Sequence, residues 1–354
     1  MINMSTQRKE IVLSKKRDRW TCLVEEGNQK YVEKRFIRAE IMSEEKGYLK
    51  LEKILANNRL VKELIEKGSN NKGYENIRKI YRVGNINEPF PCIVSEYIKY
   101  NLNEYLKEKG GVIPSIDQAV QIILDVCYGL KFFLDGARKQ GISYLCHGDI
   151  CPENIYIQIT EEGKIIAKLG DFDGATMEFT SISPFETHME WKPNDPEFNE
   201  KYDVYSLGLI LAAMIAGKKA KDAIQMSGCK AIDEYKEIPS EIRELIKKSI
   251  EVQNERISLD EFIKNLEHIK GVIKLKEKII PKEKIDKEEV RDIGYKILEI
   301  LEYIRKSQDI DRYRRLEPVI QNFLEISQLW KRREEEMSKS RIMKLLEQIK
   351  KELF

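Results

Sequence analysis

Residues 147–154 read HGDICPEN, and residues 171–174, seventeen positions after Asn154, read DFDG. The runs IYIQI and IIAKL lie between them, separated by a short polar turn, and they predict two strands. Carboxylate and amide oxygens are the ligands that hold Mg²⁺ against phosphates, and a carboxylate can accept or orient a hydroxyl proton. One Asp or Asn alone would be an ordinary turn residue. Their joint spacing predicts a site for nucleotide phosphates.

The pattern H-x-D-x-x-x-x-N followed by a D-F-G-like triplet resembles the catalytic core of protein kinases. The resemblance covers most of residues 10–270. It implies that Asp149 orients the attacking hydroxyl and that Asn154 and Asp171 hold Mg²⁺ of bound ATP. Phosphoryl transfer depends on positioning and charge neutralisation, which these residue types can supply.

The resemblance also assigns residues in the first third of the chain. Lys34, in a predicted third strand, matches the Lys that reaches the α- and β-phosphates. Glu52, on a predicted helix over residues 43–66, matches the Glu that pairs with it, with Glu44 and Glu45 as alternatives.

The predicted ATP-binding side chains and hinge residues lie in both lobes. They are Lys34, Val24, Val32, Ser95, Glu96, Tyr97, Ile98, Asn154 and Asp171. Backbone groups of the hinge would bind adenine. Thr187 resembles the substrate-facing end of the activation segment, and Asp203 the residue that caps backbone amides of the catalytic loop. Arg256 resembles the Arg that pairs with a Glu at the end of that segment.

The chain departs from the family pattern at several positions. The turn at residues 14–19 has no glycine, although the family places a phosphate-binding glycine loop there, and Lys15, Lys16 or Arg17 are candidate substitutes. Cys151 stands where serine/threonine kinases carry a Lys that neutralises the γ-phosphate.

Three further departures concern regulation and support. Gly148 replaces the Arg that gathers a phosphorylated loop, Asp173 replaces the glycine of D-F-G, and Asn194 replaces the Glu expected to pair with Arg256. We therefore expect nucleotide binding to survive better than efficient transfer. Asn194 cannot form the ion pair with Arg256, which puts that tether in doubt.

The predicted fold class is α+β, a two-lobed kinase-like fold with a helical extension. The small lobe of antiparallel strands and one long helix spans residues 1–98, the mostly helical large lobe residues 99–272, and the extension residues 273–354. A Lys-rich stretch near Pro281 indicates a linker. Three apolar stripes in the extension need a partner surface on the lobes, on each other or on another chain, either a protein partner or a second copy.

The composition limits the classes of partner that the sequence indicates. Lys+Arg 62 against Asp+Glu 60 gives no indication of nucleic acid or an anionic membrane. There is no long apolar run and no signal peptide at the first residues, and the six cysteines show no CxxC pair, so we expect reduced thiols and a cytoplasmic protein.

Three functions remain open on these grounds. The first is an ATP- and Mg²⁺-dependent serine/threonine protein kinase, divergent and weak, and the retained Lys34, Asp149, Asn154 and Asp171 favour it. The second is a pseudokinase scaffold or nucleotide-regulated interaction module. The third is a small-molecule phosphotransferase of the aminoglycoside-kinase type, which shares the H-G-D-x-x-x-x-N loop. The helix that begins DVYSLG at residue 203 favours the protein-kinase branch.

Overall fold

The computed structural model describes two compact units, Met1–Ile263 and Lys264–Phe354. The described residues are 8–43, 47–68, 71–177, 188–195, 198–279 and short stretches between 293 and 348. Thr187, Glu44 and Glu45 lie outside them.

The first unit begins with an antiparallel five-stranded sheet, ordered β1-β2-β3-β5-β4. Its strands are β1 (Arg8–Lys15), β2 (Arg19–Glu26), β3 (Gln29–Phe36), β4 (Ile80–Val83) and β5 (Cys92–Glu96). Helices α1 (Arg38–Met42) and α2 (Gly47–Lys67) follow β3. The predicted three-stranded start and the long helix are confirmed, and β3 places Lys34 opposite Thr21 and Ile93.

The larger lobe is mostly helical. Its elements are β6 (Tyr100–Asn101), α3 (Leu102–Glu108), α4 (Ile116–Lys139), β7 (Tyr144–Cys146), β8 (Ile155–Ile159), β9 (Ile165–Leu169), β10 (Thr176–Met177), α5 (Glu200–Ser227), α6 (Cys229–Ile232), α7 (Ser240–Ile250) and α8 (Leu259–Ile279). Strands β6, β8 and β9 form one small sheet, and β7 and β10 pair separately. The β8–β9 hairpin carries HGDICPEN at one end and DFDG at the other.

Two buried helices support this hairpin. α4 begins at the Ser115 cap and buries an apolar face, on which Phe133 packs 4.8 Å, centroid to centroid, from Phe172 of the DFDG segment. α5 is buried over most of residues 202–215, as its apolar sequence predicts, and kinks at Gly217, where φ is 80°.

Close packing of α4 against a neighbouring turn gives a first testable expectation. A Cβ at Gly129 would lie 2.4 Å from the backbone oxygen of Asn76, so Gly129→Ala should lower the free energy of unfolding by about 1–3 kcal/mol. Gly136 on the same helix is a matched control, because a Cβ there meets only methyl groups of Leu64, which can shift. Urea unfolding should show the larger loss for Gly129→Ala, and equal losses would contradict this packing.

The second unit is helical wherever it is described. Its buried apolar residues beyond α8 are Ile293, Ile297, Leu316, Ile320, Phe323 and Leu345. Most of them belong to the stripes predicted from the sequence. The predicted boundary at residue 272 lies inside α8, and the division into domains at that point stays a prediction. None of the described helices is long and apolar enough to cross a membrane.

Candidate active site

A cleft of about 400 Å³ lies between the five-stranded sheet and the β8–β9 hairpin. Five of the residues predicted to bind nucleotide line it: Val32, Lys34, Ser95, Ile98 and Asp171. Ile80 and Ile93 add apolar wall, and Tyr156 carries the Arg78 guanidinium 4.1 Å from its ring centroid. The cleft therefore has an apolar part next to the hinge and a charged part next to DFDG.

The prediction of Val24 as a wall of this cleft is wrong. Leu23 lies opposite Val32 in the β2–β3 register, so Leu23 shares the face of Val32 that lines the cleft. Val24, the next residue in β2, points to the other face of the sheet and is fully buried there.

The hinge backbone is partly engaged. The Glu96 carbonyl accepts a 2.8 Å hydrogen bond from Arg78 Nε, and its N–H donates to the Lys79 carbonyl. The Glu96 side chain pairs with Lys168 at 2.9 Å. A carbonyl oxygen has a second lone pair, which stays available to a ligand. Glu96, Tyr97 and Asn154 do not line the cleft as described, and their roles stay predictions.

Lys34 lies at the charged end of the cleft between two carboxylates. Its Nζ is 2.9 Å from both oxygens of Asp171 and 2.9 Å from Oδ2 of Asp173. Asn58 of α2 donates a 3.0 Å hydrogen bond to Oδ1 of Asp173, and Arg19 Nη1 lies 3.8 Å from Oδ2. Asp173, which replaces the glycine of D-F-G, is thus the second carboxylate partner of Lys34 beside Asp171.

The predicted Lys34–Glu52 ion pair is wrong for this structure. Glu52 is exposed on α2, whereas Leu51, Leu55 and Asn58 are buried on the face that packs against the rest of the first unit. Residues 51, 55 and 58 recur at helical spacing, which turns position 52 towards solvent. The sequence signal for the true contacts of this helix was a pair of polar residues, Asn57 and Asn58, among its buried apolar positions.

Asn57 and Asn58 fix the DFDG segment to α2. Asn57 Nδ2 donates to the backbone oxygens of Phe172 and Ala175, at 3.1 and 3.0 Å. Asp171 itself has a φ of 61°, a left-handed conformation that is costly for a residue with a side chain. These hydrogen bonds help hold the segment in that conformation.

Burial and neighbouring charges shift the pKa values of Lys34, Asp171 and Asp173 in different directions. Burial opposes the charge of Lys34, but the Asp171 and Asp173 carboxylates outweigh it and raise the pKa of the ammonium. Burial also opposes ionisation of Asp171, yet Lys34 holds the pKa of Asp171 well below its usual range. Burial and the neighbouring Asp171 raise the pKa of Asp173. Asp171 is therefore the firmly ionised carboxylate of the pair.

Asp149 occupies a separate corner of the site. Its Oδ2 accepts a 3.0 Å hydrogen bond from Asn154 Nδ2, which also donates to the Asp149 carbonyl at 2.8 Å. Its Oδ1 lies 2.7 Å from Lys192 Nζ and 3.4 Å from His188 Nδ1. Although burial opposes ionisation, the His188 hydrogen bond and the Lys192 charge lower the pKa of Asp149. The same hydrogen bond raises the pKa of His188.

As predicted, Asp203 supports residues 147–154, which we call the catalytic segment. Its carboxylate accepts hydrogen bonds from the backbone N–H groups of His147, at 2.6 Å, and Gly148, at 2.9 Å. Gly148 has a φ of 74°, which favours glycine at this position. Burial lowers the pKa of His147 to about 4 and raises that of Asp203 to about 7.

Arg256 is tethered in the structure, although Asn194 is not its partner. The Arg256 guanidinium lies 2.5 and 3.2 Å from the two carboxylate oxygens of Asp195, one residue after Asn194. It also donates to the carbonyls of Lys201 and Glu251. Both partners are buried or nearly so, and the ion pair fixes residues 188–195 beside the catalytic segment.

Some basic side chains of the glycine-free turn reach the site, and the others make contacts elsewhere. Lys16 and Arg19 line a smaller cavity of about 150 Å³ together with Lys34, Asp149 and Asp171. The other basic residues of the turn are engaged elsewhere, with Lys15 over the Trp20 ring and Arg17 on Glu40. Of the three predicted substitutes for the glycine loop, Lys16 is therefore the one that reaches the site.

Comparisons with known proteins agree with this geometry. A family model described as protein kinase domain matches residues 21–266. The serine/threonine-protein kinase VIK of Arabidopsis thaliana is 27% identical over 217 residues, which are 54% of this chain and 47% of that protein. A putative leucine-rich repeat receptor-like serine/threonine-protein kinase of the same plant is 33% identical over 138 residues, 36% of this chain and 15% of the relative.

The eukaryotic translation initiation factor 2-alpha kinase 1 of Plasmodium falciparum is 33% identical over 148 residues, 34% of this chain and 9% of that protein. The chain thus spans less than half the length of each of these relatives.

Proposed function

Because this chain belongs to the protein kinase family, we propose that it transfers the γ-phosphate of ATP, with Mg²⁺, to a serine or threonine hydroxyl of a protein. The observation that carries the proposal is the convergence of Lys34, Asp171 and Asp149 on one cavity, with Asn154 bonded to Asp149. The protein is proposed to act in the cytoplasm.

The donor set fits a magnesium-bound nucleotide. Asp171 offers ionised oxygens and Asn154 an amide oxygen, which are the hard ligands that Mg²⁺ prefers. Lys34, Lys16 and Arg19 offer the positive charge that a triphosphate needs, and the apolar part of the cleft suits a base. Mg²⁺, when bound, neutralises the phosphates and stabilises the charge that develops during transfer.

Each residue of the site then has a defined task. Lys34 binds the α- and β-phosphates, and Asp173 keeps its ammonium in place when Asp171 turns to the metal. Asp149 orients the attacking hydroxyl and accepts its proton. Asn154 fixes the Asp149 carboxylate through its amide N–H and presents its oxygen to the metal.

A non-catalytic, nucleotide-regulated interaction module is the second candidate. The glycine-free turn and Cys151 favour it. In that case the apolar stripes of the C-terminal helices would bind a protein partner or a second copy of the chain. The third candidate is a small-molecule phosphotransferase. It is disfavoured by the Arg256–Asp195 ion pair, because this pair fixes residues 188–195 in the region that resembles the activation segment of protein kinases.

Labelled ATP and Mg²⁺ test these candidates directly. The full chain is incubated with a mixture of basic and acidic protein acceptors, followed by phosphoamino-acid analysis of the acceptors and of the chain itself. Label on serine or threonine supports the proposal. Thermal stabilisation by ATP without transfer supports the second candidate, and label on aminoglycosides or other small alcohols supports the third.

Lys34→Met should lower kcat/KM for ATP by about 10- to 100-fold, because a charged hydrogen bond contributes roughly 1.5–3 kcal/mol. The matched control is Lys30→Met on the same strand, since Lys30 is half-exposed and pairs with Glu25. Steady-state kinetics and nucleotide-dependent melting shifts measure the effect. Equal behaviour of the two variants would contradict the role of Lys34.

A further inference from the structure

The catalytic segment has no cation of its own. Residues 147–154 contain neither Lys nor Arg, and Cys151 is fully buried with a thiol that carries no positive charge. A phosphoryl group that passes between two oxygens beside Asp149 brings further negative charge to an already anionic corner. Efficient transfer needs a positive charge there from another part of the chain.

Residues 188–195 supply this positive charge. Lys192 lies in residues 188–195, and its Nζ is 2.7 Å from Asp149 Oδ1, while its side chain is 1% exposed. Removing an ammonium from water costs several kcal/mol unless a carboxylate compensates it. A lysine so deeply buried against the candidate base is therefore a built ion pair and not a surface contact.

The other contacts of Asp149 leave a distinct task for Lys192. Asn154 holds Oδ2, and His188 reaches Oδ1 at 3.4 Å, where its charge depends on pH. Lys192 is the closer contact of Oδ1, at 2.7 Å. It lines neither of the two cavities described above, so it acts on the reaction through Asp149.

The position of Lys192 depends on a second buried ion pair. Asp195, three residues further on, is held by Arg256, while Lys192 is held by Asp149. Residues 188–195 are thus fixed at both ends, one to the helical part of the large lobe and one to the catalytic segment.

We propose that Lys192 supplies the cation that the catalytic segment lacks at Cys151, as a positioning residue that holds the Asp149 carboxylate oriented towards the hydroxyl. This inference rests on the proposed kinase activity. It makes the docking of residues 188–195 a condition for an active base.

Four variants of the full chain test the inference in the labelled-ATP assay. Lys192→Met should lower kcat by about 10- to 100-fold while KM for ATP changes by less than about threefold, because the loss is confined to Asp149. Lys192→Arg should keep most of the activity. Lys192→Met combined with Cys151→Lys should recover at least tenfold over Lys192→Met alone.

The fourth variant is the matched control. Lys247 lies on α7 and pairs with Asp233 at 2.9 Å and with Glu244 at 2.8 Å, and not with Asp149, so Lys247→Met should leave kcat unchanged. An unchanged kcat in Lys192→Met overturns the inference. So does a loss that neither Lys192→Arg nor the added Lys at position 151 restores, since that pattern indicates a purely structural role. No transfer by the wild-type chain overturns the proposed function, and the inference with it, before any variant is compared.

Discussion

Asp149→Asn is expected to lower the rate of phosphoryl transfer by about 10²- to 10⁴-fold, the usual contribution of a positioned general base. The substitution keeps the size of the side chain and the hydrogen bond from Asn154 to the backbone carbonyl, but it removes the oxygen charge that faces Lys192. Initial rates with labelled ATP measure the effect.

Nucleotide binding should persist in Asp149→Asn, because Lys34 and Asp171 are unchanged. ATP-dependent melting shifts of variant and wild type should therefore agree within error. Asp135→Asn, on the exposed side of α4, serves as the control for an Asp-to-Asn change without a role in the site. A full rate in Asp149→Asn would show that another group acts as the base.

Asp195→Asn is expected to lower the free energy of unfolding by about 3–5 kcal/mol, because it leaves the Arg256 charge buried without its partner. Arg256→Met should cost a similar amount. The double variant should lose less than the sum, since no unpaired charge remains. Urea unfolding followed by fluorescence measures all three.

The neighbouring Asn194→Ala provides the matched control. Asn194 is exposed, so its removal should change stability by less than about 0.5 kcal/mol. A larger loss for Asn194→Ala than for Asp195→Asn would mean that the tether is made by the residue that the family pattern indicates.

Local patterns predicted much of this protein. The three-stranded start of the small lobe, the buried α5 helix and the HGDICPEN–DFDG hairpin follow from short-range periodicity and from motif spacing. Asp203 was also predicted in its role, because the catalytic segment and DVYSLG are both strong motifs. These features depend on residues that are close in sequence or belong to motifs with fixed spacing.

The errors concern side-chain direction and pairing over long distances. Val24 and Glu52 have the right residue types near the right positions, but a shift of one residue turns a strand side chain to the other face, and about 100° decides the exposure of a helical one. Asp173, Asp195 and Lys192 were missed because each replaces a family residue from a different position in the chain. Charge balance in the folded site selects such pairs, and spacing alone does not reveal them.

The anchor of Lys34 has a consequence for how such an enzyme can be switched. In protein kinases, movement of the helix that carries the Glu partner separates that Glu from the Lys and so controls activity. Here the anchoring carboxylate of Asp173 belongs to the same short turn as Asp171, the proposed metal ligand, and Asn57 and Asn58 of α2 donate hydrogen bonds to that turn. Rotation of α2 would therefore displace Asp173 and Asp171 together. Inhibitors that act by moving such a helix away from the lysine would then have no independent helix movement to stabilise.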